Sequence, residues 1–237
     1  MHYGKVISGK FLVRPNRFIA YVEVAGKQET VHVKNTGRCR ELLQPGCIGY
    51  LEEGNNPARK TKYDLIVAEK QRPGQAPLLV NMDSQVPNAV AAEWLPKSGL
   101  FSENAQIRRE VVFGSSRFDL YIEDGERRCF MEVKGVTLEK DGIVSFPDAP
   151  TERGVKHLQE LTKCVAAGYE AAILFVVQMK EMRLFHPADA IHPEFGTALR
   201  DAVANGVQIY VCDCLVTPDT IQIDAQLPIE LNYHETT

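Results

Sequence analysis

No apolar run in the 237-residue chain approaches the ~18 residues that a membrane span requires. Lys5, Ser8, Lys10 and Arg14 interrupt the stretch where a signal peptide would carry its apolar core. Both absences lead to the expectation of a cytoplasmic protein with no membrane partner. The six cysteines, at 39, 47, 129, 164, 212 and 214, lack the spacing of a disulfide framework and lie in apolar segments, so reduced, mostly buried thiols are expected. Cys212-Asp213-Cys214 has no second pair and no nearby histidine, which places it with structural thiols rather than metal ligands. Strong net charge is missing as well: the chain carries −4.

That small total hides an asymmetry. Residues 1–80 contain 13 Lys or Arg against 7 Asp or Glu, a balance of +6, while the remaining 157 residues contain 14 against 24, a balance of −10. A basic module that grips a polyanion, followed by an acidic module that holds a cation, would produce this division. The pattern of elements changes at the same place. Short alternating segments at Lys5–Val13, Arg17–Val24, Glu29–Val33, Ile48–Glu52, Lys62–Glu69 and Leu78–Val80, with a helix-compatible stretch at Arg38–Leu43, predict a small OB-like β-barrel over residues 1–82. Candidate phosphate contacts in this module are Arg14, Arg17, Lys34, Asn35, Thr36, Arg38 and Arg40, the middle four around a Gly37 turn. Alternation groups Phe18 with Ala20, Val22 and Val24, so Phe18 is read as core.

From Val86 the pattern is αβββαβ, followed by a further helix and two strands. The unbroken apolar run Ala171–Val177 reads as a strand covered on both faces, so residues 83–237 are expected to form a layered α/β domain. Within it, Arg117 to Lys134 reads as a hairpin. A two-residue loop beginning at Gly125 would set Asp124 opposite Arg127 and therefore Asp119 opposite Glu132. An Asp-Gly loop would slip the pairing by two residues and keep both acids on the same face.

Facing carboxylates repel unless something offsets them, and a hard divalent cation such as Mg²⁺ would do so with oxygen ligands. The candidate ligands are Asp119, Glu132, the Val133 carbonyl and, from the preceding helix, Glu93. Lys134 would orient an attacking water or neutralise charge on a phosphodiester. On the helix over 151–167, Val155, Leu158, Thr162, Val165 and Ala166 predict an inward stripe. Arg153, Lys156, His157 and Glu160 then occupy the other face, where the first three form a candidate phosphate-facing row. A solvated charged face fits the same residues.

Several blocks occur in one order: Asn35-Thr36-Gly37-Arg38, Val80-Asn81, Pro87-Asn88, Ser116-Arg117-Phe118-Asp119, Glu132-Val133-Lys134-Gly135-Val136-Thr137, Phe146-Pro147-Asp148-Ala149, Arg153-Gly154 and Lys156-His157-Leu158. Together they resemble the bacterial sugar fermentation stimulation protein A family over nearly the full chain. The resemblance implies an OB-like N-terminal domain, a C-terminal domain similar to the PD-(D/E)xK nucleases, and nucleic acid as partner, DNA ahead of RNA. Asp119, Glu132 and Lys134 match the acids and lysine of that motif, with Phe118 where the motif has its proline. Two functions follow from the resemblance: a nuclease dependent on Mg²⁺ or Mn²⁺, or a non-catalytic DNA-binding regulator of sugar-metabolism genes. No helix-turn-helix pattern is evident, and a homo-oligomer is compatible with the sequence.

Overall fold

The structure, a computed structural model, describes residues 1–35, 37, 39–54 and 58–233. Thr36, Arg38 and residues 55–57 of the expected turn lie outside the described residues. The chain divides into two compact units. The first comprises Met1–Val86, Gln178–Lys180 and Cys214–Gln222; the second comprises Pro87–Val177, Glu181–Asp213 and the described residues from Ile223 on. A contiguous division at residue 82 therefore needs correction, because two later segments complete the first unit. Gln178 shows why: its carbonyl accepts the Asn81 N–H at 2.9 Å, and its amide donates to Asn81 Oδ1 and the Asp83 carbonyl, each at 3.0 Å.

In the first unit, β1 (Val6–Asn16), β2 (Ile19–Val24), β3 (Lys27–Val33), β4 (Ile48–Glu53), β5 (Tyr63–Lys70) and β6 (Leu78–Asn81) form one sheet. Its order is β3-β2-β1-β4-β5-β6, and a parallel pairing of β3 with β5 closes it into an OB-like barrel. Alternation supplies the interior: Phe11, Ala20, Val22, Val31, Leu51, Leu65 and Val67 are all buried. The closure is tight where β1 meets its neighbours. A Cβ on Gly9 would lie 2.5 Å from Val22 Cγ1, so that position has no room for a side chain.

Two expectations fail here. Residues 39–43 form turns rather than a helix, with the Leu42 and Leu43 N–H groups both donating to the Cys39 carbonyl. Burial of both leucines rewards the turn without a continued helix. Phe18 is not core: it lies in the turn between β1 and β2 and is 48% exposed. Register shifts in β1 between Phe11 and Val13 and between Val13 and Asn16 break the strict alternation on which the core reading relied.

The second unit begins on α1 (Val86–Trp94), which ends in a 3₁₀ turn at Leu95–Lys97. There follow β7 (Gln106–Phe113), β8 (Ser116–Asp124), β9 (Arg127–Val136), β10 (Glu139–Lys140), β11 (Ile143–Phe146), α2 (Glu152–Ala166), β12 (Glu170–Val177), β13 (Leu184–Pro187), α3 (Pro193–Ala204), β14 (Gln208–Val216), whose residues from Cys214 on belong to the first unit, and β15 (Ile221–Gln226), whose residues up to Gln222 do. The main sheet runs β15-β14-β12-β9-β8-β7. Its centre, β12, pairs in parallel with β9 and β14, and every residue from Ala171 to Val177 is buried, as the apolar run demands. A smaller sheet, β10-β11-β13, was not anticipated. All six cysteines are buried and none forms a disulfide. Among the described residues no helix is long and apolar enough to cross a membrane.

Candidate active site

The hairpin of β8 and β9 sets the register of the site. Gly125 takes φ +63°, a left-handed value that suits glycine, and Asp124 pairs with Arg127 across the two-residue loop. The ladder then runs without a shift to Leu120 opposite Met131 and stops. One step further it would join Asp119 to Glu132. On the other edge of β8, Arg109 pairs with Leu120 and Val111 with Phe118, leaving Glu110, at φ +56°, opposite Asp119. Asp119 is thus skipped by both flanking ladders, and its carboxylate takes over a backbone partner: Oδ2 accepts the Val133 N–H at 2.9 Å. In a strand, the N–H and C=O of one residue leave by the same edge. The Val133 carbonyl therefore faces the Asp119 edge of β9 as well.

Three elements supply the remaining groups. From α1, Asn88 Nδ2 donates to Asp119 Oδ1 at 2.7 Å. On β9, alternation brings Lys134 to the face of Glu132, and its ammonium donates to Glu132 Oε1 at 2.5 Å. From α2, His157 Nδ1 bonds the same Oε1, while Arg153 Nε lies 3.4 Å from His157 Nε2. Glu132 is 2% exposed, and its second oxygen, Oε2, is buried with no hydrogen-bond partner among the described residues.

The two acids are tuned in opposite directions. Burial raises the Asp119 pKa, the charge of Glu132 raises it further, and the Val133 N–H, Lys134 and Asn88 only partly oppose them. Burial pushes Glu132 upward too, but the His157 hydrogen bond and the Lys134 ammonium outweigh it and hold the carboxyl below its usual range. The result is one firmly ionised carboxylate beside one that gives up its proton less readily.

Asp119, Glu132, Val133, Lys134 and His157 are therefore brought together, but not all in the expected roles. His157 is buried against Glu132 and does not belong to a phosphate-facing row. The buried residues of α2 are Gly154, His157, Leu158, Glu160, Leu161 and Cys164, so of the stripe expected through Val155, Leu158, Thr162, Val165 and Ala166 only Leu158 is buried and the rest is out of phase. Polar side chains can face inward here because they find partners: Glu160 receives the Ser115 N–H and Lys163. Lys156 is exposed and donates to the Ser115 carbonyl at 3.0 Å. Glu93 is exposed on α1, five residues and so ~140° around the helix from Asn88, and it is not the third acid. Asn88 is not among the site residues nominated from the sequence, although the Pro87-Asn88 block that contributes to the resemblance contains it. Among the described residues no three His, Cys, Asp or Glu side chains are arranged as a cage for a metal ion.

The residues nominated in the first unit also separate. Arg14 donates to the carbonyls of Gly37, Arg17 and Asn35 at 2.8, 2.6 and 2.6 Å, and Asn35 Oδ1 accepts the Gly37 N–H at 2.7 Å. Both hold the loop together. Lys34 Nζ lies 3.2 Å from Asp83, 3.3 Å from Glu52 and 3.8 Å from Asp64. Burial lowers its pKa, but Asp83 and Asp64 outweigh that and raise it. Three carboxylates already neutralise this ammonium, which removes Lys34 from the phosphate contacts. Arg17 and Arg40 are exposed, and Thr36 and Arg38 lie outside the described residues.

Comparison with known proteins bears on both units. The description "Sugar fermentation stimulation protein RE domain" matches residues 85–220, and "SfsA N-terminal OB domain" matches residues 12–76. A sugar fermentation stimulation protein homolog of Desulfitobacterium hafniense strain Y51 is 54% identical, over 98% of this chain and 99% of its own. One of Clostridium beijerinckii is 51% identical, over 94% and 96%. The structure of Pyrococcus furiosus SfsA in complex with Ca²⁺ superposes with a TM-score of 0.82 at 28% identity, over 97% of this chain and 98% of that one. With an OB-like barrel followed by an α/β unit, and relatives matched from end to end, the chain belongs to the sugar fermentation stimulation protein A family.

Proposed function

We propose that this protein binds nucleic acid, DNA in the first instance, and hydrolyses its phosphodiester bonds with the help of Mg²⁺ or Mn²⁺. The observation that carries the reading is the buried, unpartnered Oε2 of Glu132 beside the half-buried carboxylate of Asp119. A buried charge left half-satisfied is costly, and a cation removes the cost on both acids together. Two carboxylates, a backbone carbonyl and retained waters form an ordinary Mg²⁺ environment, so a cage of three acidic or thiol side chains is not required. The Ca²⁺ complex of the Pyrococcus furiosus relative, another hard divalent cation, supports the same chemistry.

Asp119, Glu132 and the Val133 carbonyl would hold the cation. When bound, it supplies a Lewis acid for a phosphoryl oxygen and lowers the pKa of a coordinated water. The chain's own groups do the rest. Asn88 and the Val133 N–H fix the Asp119 carboxylate, and His157 keeps Glu132 ionised and oriented. Lys134 holds its ammonium against Glu132, where it would orient the attacking water or stabilise charge on the pentacovalent phosphorus.

The test is a cleavage assay over single- and double-stranded DNA and RNA, with Mg²⁺, Mn²⁺ or a chelator, beside a calorimetric cation titration. Cleavage that needs the cation and disappears in Glu132→Gln is expected. Nucleic-acid binding without cleavage under every condition would replace the nuclease with a non-catalytic regulator.

A further inference from the structure

We propose that the tip of the β1–β2 hairpin is a stacking site for an unpaired base, which makes single-stranded nucleic acid the partner of the first unit. The inference rests on the nucleic-acid reading above, and not on its hydrolytic part. Phe18 is 48% exposed although Ala20 and Val22, two and four residues on, are fully buried. The exposure is built in. Asn16 Oδ1 accepts both the Phe18 and Ile19 N–H groups, at 2.9 and 3.0 Å, the Phe18 carbonyl accepts the Val33 N–H at 2.8 Å, and the Arg14 guanidinium clamps the Arg17 carbonyl. A fixed turn thus presents an aromatic ring to solvent and forfeits the stabilisation that burying it would bring.

What surrounds the ring points to a nucleotide. The Arg17 guanidinium lies over one face of the Phe18 ring, 5.3 Å from its centroid, so a base would stack on the opposite face or in place of the guanidinium, with the arginine's charge close by for a phosphate. Val13, 50% exposed, pairs across the strands with Tyr21, and Tyr21 pairs with Thr30 on β3. Directly opposed residues share a face, so Val13, Tyr21 and Thr30 line the outside of the barrel wall beside the tip. In barrels of this topology, the first hairpin loop and the outer face of the second and third strands are the surfaces that take oligonucleotides. The charge balance of +6 over residues 1–80 complements a polyanion. A stacking ring also selects the strand state: bases in a duplex are covered on both faces by their neighbours, whereas unpaired bases offer a free face.

The experiment uses the full chain in chelator, so that binding is read without hydrolysis, with a labelled oligothymidylate and a labelled duplex of equal length. Phe18→Ala should weaken single-strand binding about five- to a hundred-fold, the usual worth of one stacked base, and leave duplex binding within about twofold. Phe18→Tyr should restore it. In Phe18→Trp, the added indole emission should fall on binding oligothymidylate. Unchanged single-strand affinity in Phe18→Ala, an equal loss for duplex and single strand, or a wild-type chain that binds only duplex would overturn the proposal. Single-strand binding that depends on Phe18 without cleavage in Mg²⁺ would sustain it while removing the nuclease reading.

Discussion

Asp119 and Glu132 fail differently when each is altered, because they hold their protons differently. Asp119→Asn should lower cation affinity by more than the ~10–100-fold expected for Asn88→Ala, which removes only a supporting partner. Lys134→Ala should keep the cation and lose about 10²–10³ in cleavage rate, because its attraction grows with transition-state charge. Calorimetry and kinetics on the same samples separate the two; equal loss in both measurements for both variants would refute the assigned roles. The cation-free protein offers a check through pH. Asp119 has a folded pKa above its ordinary 3.8, so its stabilising contribution is present below that value and lost as pH rises through the folded pKa. Glu132, held below its ordinary 4.5, contributes stability above that value and loses it as pH falls through the lowered pKa. Urea unfolding in chelator, from about pH 3 to about pH 7, should therefore show the stability difference, wild type minus variant, falling with rising pH for Asp119→Asn and rising for Glu132→Gln. Two parallel curves would mean that the acids share one environment. The positions of these acids were legible because Gly125 fixes the hairpin register locally. The partner that separates their pKa values was not, since His157 arrives from a helix whose facing side is chosen by packing.

That helix shows how far periodicity carries at the scale of an element. The sequence pattern predicts the extent of α2 within a residue or two of Glu152–Ala166, yet it puts the buried stripe out of phase, because charge alone assigns His157 and Glu160 to the solvent face. A polar side chain whose hydrogen bonds are met can lie inward as an apolar one does, and sequence spacing alone gives no sign of its partners. The strands of the first unit match the alternating segments closely, whereas β10 and β11 were overlooked although Asp141-Gly142, at φ +54° and +77°, is a strong hairpin turn between them. The N-terminus of α2 provides a test at this scale. Thr151 accepts the Gly154 N–H at 3.1 Å, so Thr151→Ala should cost about 1 kcal/mol of stability. Loosening the helix start two turns from His157 should also raise the cation dissociation constant by a few-fold. Unfolding and titration of the one variant check both, and an unchanged stability would show that the cap contributes nothing.

At the scale of the whole molecule, the first unit is not a removable N-terminal module. A fragment of residues 1–86 lacks Gln178, which pairs with Asn81 and Asp83, and Asp219, whose carbonyl accepts the Tyr3 N–H at 2.9 Å. Such a fragment should melt broadly and well below the intact chain by circular dichroism; a sharp transition at the same temperature would show the returning segments to be dispensable. The same interleaving sets a schedule. On a ribosome adding ~5–20 residues per second, the partner of Tyr3 is synthesised on the order of 10–40 s after Tyr3 itself. The barrel strands are complete in the nascent chain long before the segments that finish their unit exist. During that interval the edge that will receive residues 178–180 and 214–222 stays open, and it is then that a chaperone or a misplaced strand from another chain would find this protein.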